Sequence, residues 1–224
     1  MNFIQSISIL SIAALLTLNA CSNQSDLESI EIYNQYGQLE KFTRLKSDLS
    51  REGKYQRYAP GGVLLEEAFY QNDSLEGVRT LYFENGQPQY VEQYKNGNFD
   101  GPYKAFFDNG EVEVEGNYIN DVMDGPWTTY YPTGGVKEVV TFANNLENGP
   151  FTEFYPNGVK KAEGNYLNGD REHGELKLYN EEGEHIKTME CDNGVCRTVW
   201  EKGEEVVPSA NPPASLKHEN DLRT

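Results

Sequence analysis

The chain has 224 residues, with 36 acidic against 19 basic side chains and a formal net charge of −17. Phosphate contacts need clustered Lys and Arg, so this balance excludes a nucleic-acid binder and opposes electrostatic docking on an anionic lipid surface. Aromatics reach 12 %, with 15 Tyr and 10 Phe, which sets the sequence apart from disordered acidic chains and points to a folded protein with a thin, ring-rich core.

Residues 1–20 carry no charged side chain. Ile7 to Leu18 is an apolar run too short to span a bilayer comfortably, and it reads as the hydrophobic region of a secretory signal. It ends in Leu18-Asn19-Ala20-Cys21, which resembles the bacterial lipobox, cleaved before a cysteine that is then acylated. Two features depart from that pattern: no Lys or Arg precedes the apolar run, and Asn19 stands where Ser, Thr or Ala is usual. The sequence predicts a lipoprotein signal peptide over 1–20, lipidation at Cys21 and a short linker over 21–29. The alternative is an ordinary signal peptide in which Cys21 is incidental. Ser22, not Asp, follows the cysteine; in diderm lipoproteins that resemblance implies the outer membrane, with the protein facing the periplasm.

Ile30 to Arg44 contains Tyr33, Gly37 and Phe42, an eroded hairpin expected to cap the open edge of the first repeat; the capping unit is placed at 30–52. From there the chain repeats. Gly53, Gly77, Gly101, Gly125, Gly149 and Gly174 are spaced by 24 residues, with 25 in the last interval. Nine residues after each comes a second glycine, as in Gly62, Gly86, Gly110, Gly134, Gly158 and Gly183. Five after each stands an aromatic: Tyr58, Tyr82, Phe106, Tyr130, Phe154 and Tyr179. Seventeen after come Tyr70, Tyr94, Tyr118, Phe142 and Tyr166, with Cys191 in the sixth place, and nineteen after comes an Asn in every unit.

Each unit reads as a β-hairpin. An aromatic-rich strand closes on Asn85-Gly86, Asn109-Gly110 or Asn157-Gly158, expected to be tight two-residue turns. The return segment alternates, with Val112, Val114, Gly116 and Tyr118 on one side and Glu111, Glu113, Glu115 and Asn117 on the other. A second turn begins at the Asn and is expected to end at Asp100-Gly101, Asp124-Gly125 or Asn148-Gly149. The fold class is therefore all-β: six tandem antiparallel hairpins over 53–194, about twelve strands, forming one elongated, twisted sheet or open trough. The row seventeen after the first glycine faces the core. The row five after it (Tyr58, Tyr82, Phe106, Tyr130, Phe154, Tyr179) forms a line of exposed rings, the candidate partner-binding surface.

Cys191 and Cys196 flank Asp192-Asn193-Gly194-Val195, so a tight turn brings the two thiols together at a hairpin end, fit for a disulfide in an oxidising compartment. The other reading, half of a metal site, needs four ligands, and with Cys21 acylated no other Cys and only three His are available to complete them. Val195 to Val207 supplies a last capping strand with Trp200, and 208–224 reads as a disordered tail.

The pattern Gly-x-aromatic-x-x-aromatic-aromatic-x-Asn-Gly, followed by Glu-Gly-x-Tyr-x-Asn, resembles the MORN (membrane occupation and recognition nexus) repeat in its bacterial variant. Asn109-Gly110 to Asn120 and Asn157-Gly158 to Asn168 carry it most plainly. The resemblance implies a hairpin-repeat architecture. It also implies the company of proteins named as antitoxin or immunity components, or of exported lipoproteins; eukaryotic relatives are membrane-associated scaffolds. The sixth copy departs from it, with Glu182-Gly183 for Asn-Gly and Cys191 for the aromatic. The acidic charge opposes carrying lipid-headgroup recognition over.

No nucleophile elbow or phosphate loop is present, and His173, His185 and His218 read as solvated turn or tail residues. The Asp-Gly turns lack the dense ligand spacing of a calcium loop. No catalytic residue, metal or cofactor is expected. What remains is binding: a protein partner, with a basic toxin masked by an immunity protein as the sharpest form, reached by a chain touching the membrane only through its lipid anchor. A structural scaffold of the cell envelope and a carbohydrate-binding surface are the alternatives.

Overall fold

The computed structural model describes residues 26–204, and these form one antiparallel sheet of seventeen strands. The expected signal peptide, the Cys21 lipidation site and the tail over 208–224 lie outside the described residues. Strands β1 (Leu27–Tyr33) and β2 (Leu39–Leu45) make the capping hairpin, which begins three residues earlier than the expected position 30. The first repeat hairpin pairs β3 (Arg51–Tyr58) with β4 (Leu64–Gln71). The short β5 (Ser74–Leu75) leads into β6 (Gly77–Tyr82), which pairs with β7 (Pro88–Lys95). Next come β8 (Asn98–Phe106) with β9 (Val112–Ile119), then the short β10 (Val122–Met123) ahead of β11 (Gly125–Tyr130) with β12 (Val136–Ala143). The last two hairpins pair β13 (Leu146–Phe154) with β14 (Lys160–Tyr166) and β15 (Gly174–Tyr179) with β16 (His185–Asp192). Strand β17 (Val195–Glu201) closes the series. Twelve of the seventeen strands are the six expected hairpins; the rest are the two caps' strands and two short leading pieces. The sheet stays open, since β1 pairs with β2 alone and β17 with β16 alone.

The two turn types differ from the sequence expectation in an instructive way. Asn85-Gly86 and its equivalents sit in three-residue loops, with the Gly86 amide donating to Phe83 O and the Phe83 amide to Gln87 O, both at 2.9 Å. Only the glycine takes a left-handed backbone there (φ 83° at Gly86), as a type I turn followed by a bulge requires. The asparagine is freed to tie hairpins together: Asn85 Nδ2 donates to Asp108 O at 2.9 Å, and Asn109 and Asn157 repeat the bond to Pro132 O and Glu181 O. The two-residue, left-handed turns are the second set, at Asn72, Asn96, Asn120, Asn144 and Asn193, with φ between 47° and 54°. Asn168, with φ 53°, opens a three-residue loop in which the Leu167 amide donates to Arg171 O at 2.9 Å.

Asp100-Gly101 belongs to no turn. It lies in a bulge of β8, where pairing jumps from Glu92↔Tyr103 to Tyr94↔Phe99. Gly101 has φ 134°, and a Cβ placed on it would stand 2.5 Å from Gln93 Cγ, so backbone and space both demand glycine. The repeat-marking glycine is thus the residue that lets each hairpin's strand bend against its predecessor.

No helix occurs among the described residues, so one layer must bury its own side chains. The residue two after the first glycine faces the residue fifteen after it, and large opposes small: Tyr55 with Ala68, Tyr103 with Gly116, Trp127 with Val140, Phe151 with Gly164. A Cβ on Gly116 would come 2.2 Å from Trp127 Cδ2, so the indole lies flat where only glycine leaves room. Rings from the row seventeen after the glycine join the same face. Tyr94 to Phe99 (4.5 Å), Phe99 to Tyr118 (5.0 Å), Tyr118 to Trp127 (5.1 Å) and Trp127 to Phe142 (6.0 Å) form a continuous chain of centroids. Toward β17 the core passes to Val140, Phe151, Ala162, Leu176 and Cys191. Each fully buried ring contributes roughly 1.5–3 kcal/mol, which is what a single hairpin lacks.

Candidate functional site

The row of Tyr58, Tyr82, Phe106, Tyr130, Phe154 and Tyr179 is half-buried, not exposed as the sequence suggested. It runs along the face opposite the core, where its members engage the protein's own charges. Tyr130 Oη donates to Glu115 Oε1 and Tyr179 Oη to Glu163 Oε1, each at 2.5 Å. Those hydrogen bonds to carboxylates, with burial next, push both phenols up to about 12. Glu115 is in turn held low by the Lys104 ammonium and then by Tyr130, and Glu163 by Lys160 and then Tyr179. Lys41 lies 6.0 Å over Tyr58 and Lys160 5.7 Å over Tyr179. These rings brace a Lys–Glu lattice, and hydroxyls needed for a partner are already spoken for in at least two units.

Two groups of polar residues on the core face stand out among the described residues. In the second hairpin the aromatic slot is taken by Arg79, opposite Glu92. Arg79 Nε contacts Glu66 Oε1 at 2.7 Å and its Nη1 contacts Glu92 Oε2 at 3.2 Å; Arg57 Nη2 reaches Glu66 Oε2 at 2.8 Å. Tyr94 Oη donates to Glu92 Oε2 at 3.2 Å, and Arg57 Nη1 donates to Gln38 Oε1 in the capping hairpin. Glu66 and Glu92 are 6 % and 7 % exposed, so this is a buried network. Burial alone lowers the Arg79 pKa, but the hydrogen bond and charge of Glu66, then Tyr94 and Glu92, outweigh it and leave the guanidinium more firmly protonated than usual. Two guanidinium groups meet two carboxylates, and the region is closed.

The fourth hairpin carries the other polar group. Thr129 pairs with Glu138 across β11–β12, Glu138 pairs with Glu153 across β12–β13, and Glu147 stands opposite Phe142 in the slot that Leu75, Phe99 and Met123 fill elsewhere. Here the sheet leaves a cavity of about 260 Å³, walled by the rings of Tyr103, Tyr118, Trp127 and Phe142. Thr129, Glu138 and Glu147 line it too. Glu153 is paired with Lys161 at 2.6 Å, whereas the carboxylates of Glu138 and Glu147 make no hydrogen bond or ion pair to a described residue. Burial, then the charges of Glu153 and Glu147, raise the Glu138 pKa; Lys137 and Lys161 offset this only in part. Burial, then Asp170, raises that of Glu147. Trp127 is 5 % exposed, and its Nε1 and the Thr129 Oγ1 are buried with no hydrogen-bond partner. Unpaired carboxylates, unsatisfied polar atoms and an aromatic wall coincide at one cavity.

Sequence reasoning missed this place. Its signal was weak: Glu147 shares its register with the apolar Leu75, Phe99 and Met123 but also with Arg51 and Glu172, and Glu138 shares its register with Glu66 and Lys187 as well as with Tyr90, Val114 and Ala162.

Elsewhere, Cys191 and Cys196 face each other across β16–β17 and are joined as a disulfide, with Cα atoms 4.0 Å apart. His185, expected in solvent, is half-buried: its ring stacks on Trp200 at 4.5 Å and its Nε2 lies 2.9 Å from Thr188 Oγ1. His173 is exposed, 3.5 Å from Asp192. Among the described residues no group of three or more His, Cys, Asp or Glu is placed to hold a metal ion, and no helix is long and apolar enough to cross a membrane.

No curated protein matches the chain. The MORN repeat variant matches residues 51–72, 75–96, 99–120, 123–144 and 147–168. Each matched segment starts two residues before the bulge glycine and ends at the left-handed asparagine, so the family's repeat is the hairpin described above. The capping hairpin and the sixth hairpin continue the same sheet outside those matches. With five tandem copies in one continuous sheet, the chain is a repeat protein of the MORN repeat variant family.

Proposed function

We propose that this protein is a non-catalytic, lipid-anchored component of the cell envelope whose repeat sheet binds a basic protein partner, with an antitoxin or immunity role against a basic toxin as the specific form. Cys21 would carry the anchor and is its only membrane contact. The observation that supports the reading best is the fourth hairpin's core face, where carboxylates without a counter-cation adjoin an aromatic cavity on a sheet that no second layer covers among the described residues. Aromatic residues supply most interface anchoring energy, and carboxylates select basic partners and speed their approach. The test is capture from the native envelope fraction with the full chain in detergent, at low and high salt. One basic protein, recovered in stoichiometric amount and lost as salt rises, is the expected result; association that ignores salt removes the charge argument.

A second reading has its own observation. Both ends of the sheet are open among the described residues, and they carry exposed apolar groups: Ile32, Tyr33 and Tyr36 beside β1, Val195 and Trp200 on β17. Unpaired edges of this kind join end to end, which suits a scaffold. Sedimentation of the full chain showing concentration-dependent assembly would favour it.

A further inference from the structure

We infer that the cavity of the fourth hairpin is a binding site for a single basic side chain, an arginine or lysine of the partner, held between the Glu138 and Glu147 carboxylates and the aromatic wall. This rests on the reading that the sheet binds a basic protein, and it names the anchor point.

Where this face buries a carboxylate most deeply, it brings a cation to it: Arg57 and Arg79 to Glu66, and Arg79 to Glu92. Glu138 and Glu147 have no such cation, and they lie beside open space. A carboxylate desolvated without a partner is unfavourable, and one guanidinium reaching both would relieve it. The wall suits the same group, because Tyr118, Trp127 and Phe142 attract cations through their ring faces. At about 260 Å³ the cavity lies at or below the lower end of small-molecule sites, room for one side chain and not for a sugar chain. Trp127 and Thr129, whose Nε1 and Oγ1 are buried without a hydrogen-bond partner, line the same cavity.

The test is calorimetric titration of the full chain with Nα-acetyl-argininamide, which carries a guanidinium and two carbonyls. Its neutral isostere Nα-acetyl-citrullinamide serves as the comparison. The argininamide should bind at least about tenfold more tightly than the citrullinamide, and the double variant Glu138→Gln, Glu147→Gln should lose that preference while keeping the wild-type far-ultraviolet spectrum. Equal binding of the two amides, unchanged binding by the double variant, or N-acetylglucosamine displacing the argininamide would each overturn the proposal. The two readings fail separately. A basic partner captured equally by wild type and double variant sinks this site but not the function. An argininamide-selective cavity in a chain that captures no partner does the reverse.

Discussion

The network around the second hairpin and the cavity at the fourth place charge on the same face of the same sheet, with opposite outcomes. In the second, Arg79 replaces a ring and brings its own neutralisation, so that Glu66 and Glu92 are buried yet fully engaged. In the fourth, the ring is kept as Trp127, no arginine arrives, and Glu138 and Glu147 face an unfilled cavity. The contrast teaches that polar residues in a thin core have two uses. A balanced set cross-links neighbouring hairpins, here down to Gln38 in the cap. An unbalanced set costs stability and leaves a demand that only a ligand meets.

Breaking the closed region should have the largest effect. Arg79→Met leaves the buried Glu92 without a cation and Glu66 with Arg57 alone, and should destabilise the protein by about 3–5 kcal/mol in denaturant unfolding. Replacing Glu66 and Glu92 by Gln and Leu in the same chain should recover most of that. A loss below ~1 kcal/mol for the single change would mean that the network is solvated and the two regions are alike.

The wall of the open region comes next. Gly116→Ala drives a methyl into Trp127 Cδ2, at 2.2 Å, and should cost about 1–3 kcal/mol through displacement of the indole. It should also weaken argininamide binding, because the displaced ring belongs to the cavity; tighter binding would show that the wall lies elsewhere.

The smallest effect runs the other way. Glu138→Gln removes a destabilising charge and should raise stability at neutral pH by about 0.5–1 kcal/mol, after allowance for the half-exposed position. Its pH dependence comes from the raised folded-state pKa. Protonation of Glu138 favours the folded state, so its contribution is fully present below the ordinary glutamate pKa and is lost as pH rises through the elevated folded value. The groups acting on it are Glu153 and Glu147, which raise the pKa, and Lys137 and Lys161, which lower it. The variant's advantage should therefore shrink to nothing as pH falls toward the ordinary glutamate range. An advantage that persists there has some other origin. Most other shifted carboxylates behave oppositely: Glu67, Glu115 and Glu163 are held low by lysine partners, and their contribution fades on acidification.

How much of this was legible in the sequence depends on whether a residue repeats or departs. The hairpin architecture comes from glycines, rings and asparagines that recur every 24 residues. Turn detail was half legible, because Asn-Gly serves two loop geometries, and only the packing of Asn85 on Asp108 of the next hairpin shows which one is used. The Asp-Gly pairs read as turns because a bulge and a turn make the same demand for positive φ. The outer rings seemed exposed because alternation assigns a face but not the Lys–Glu lattice that half-covers it. The network lay in a clear departure, Arg79 among Tyr55, Tyr103, Trp127 and Phe151, whereas Glu147 stands in a mixed register with Arg51, Leu75, Phe99, Met123 and Glu172 and gave a weaker signal. The cavity itself was beyond sequence reasoning, since it arises where rings from the third hairpin meet those of the fourth.

The site's chemistry turns on Glu138 being left without a cation until a basic side chain arrives. Carboxyl-carbon NMR titration of that residue, free and then saturated with Nα-acetyl-argininamide, tests this directly. The free protein should titrate Glu138 above the ordinary glutamate value, and the ligand should bring the midpoint down as the guanidinium favours the charged form. A midpoint that starts in the ordinary range, or one that the ligand leaves unmoved, would contradict it.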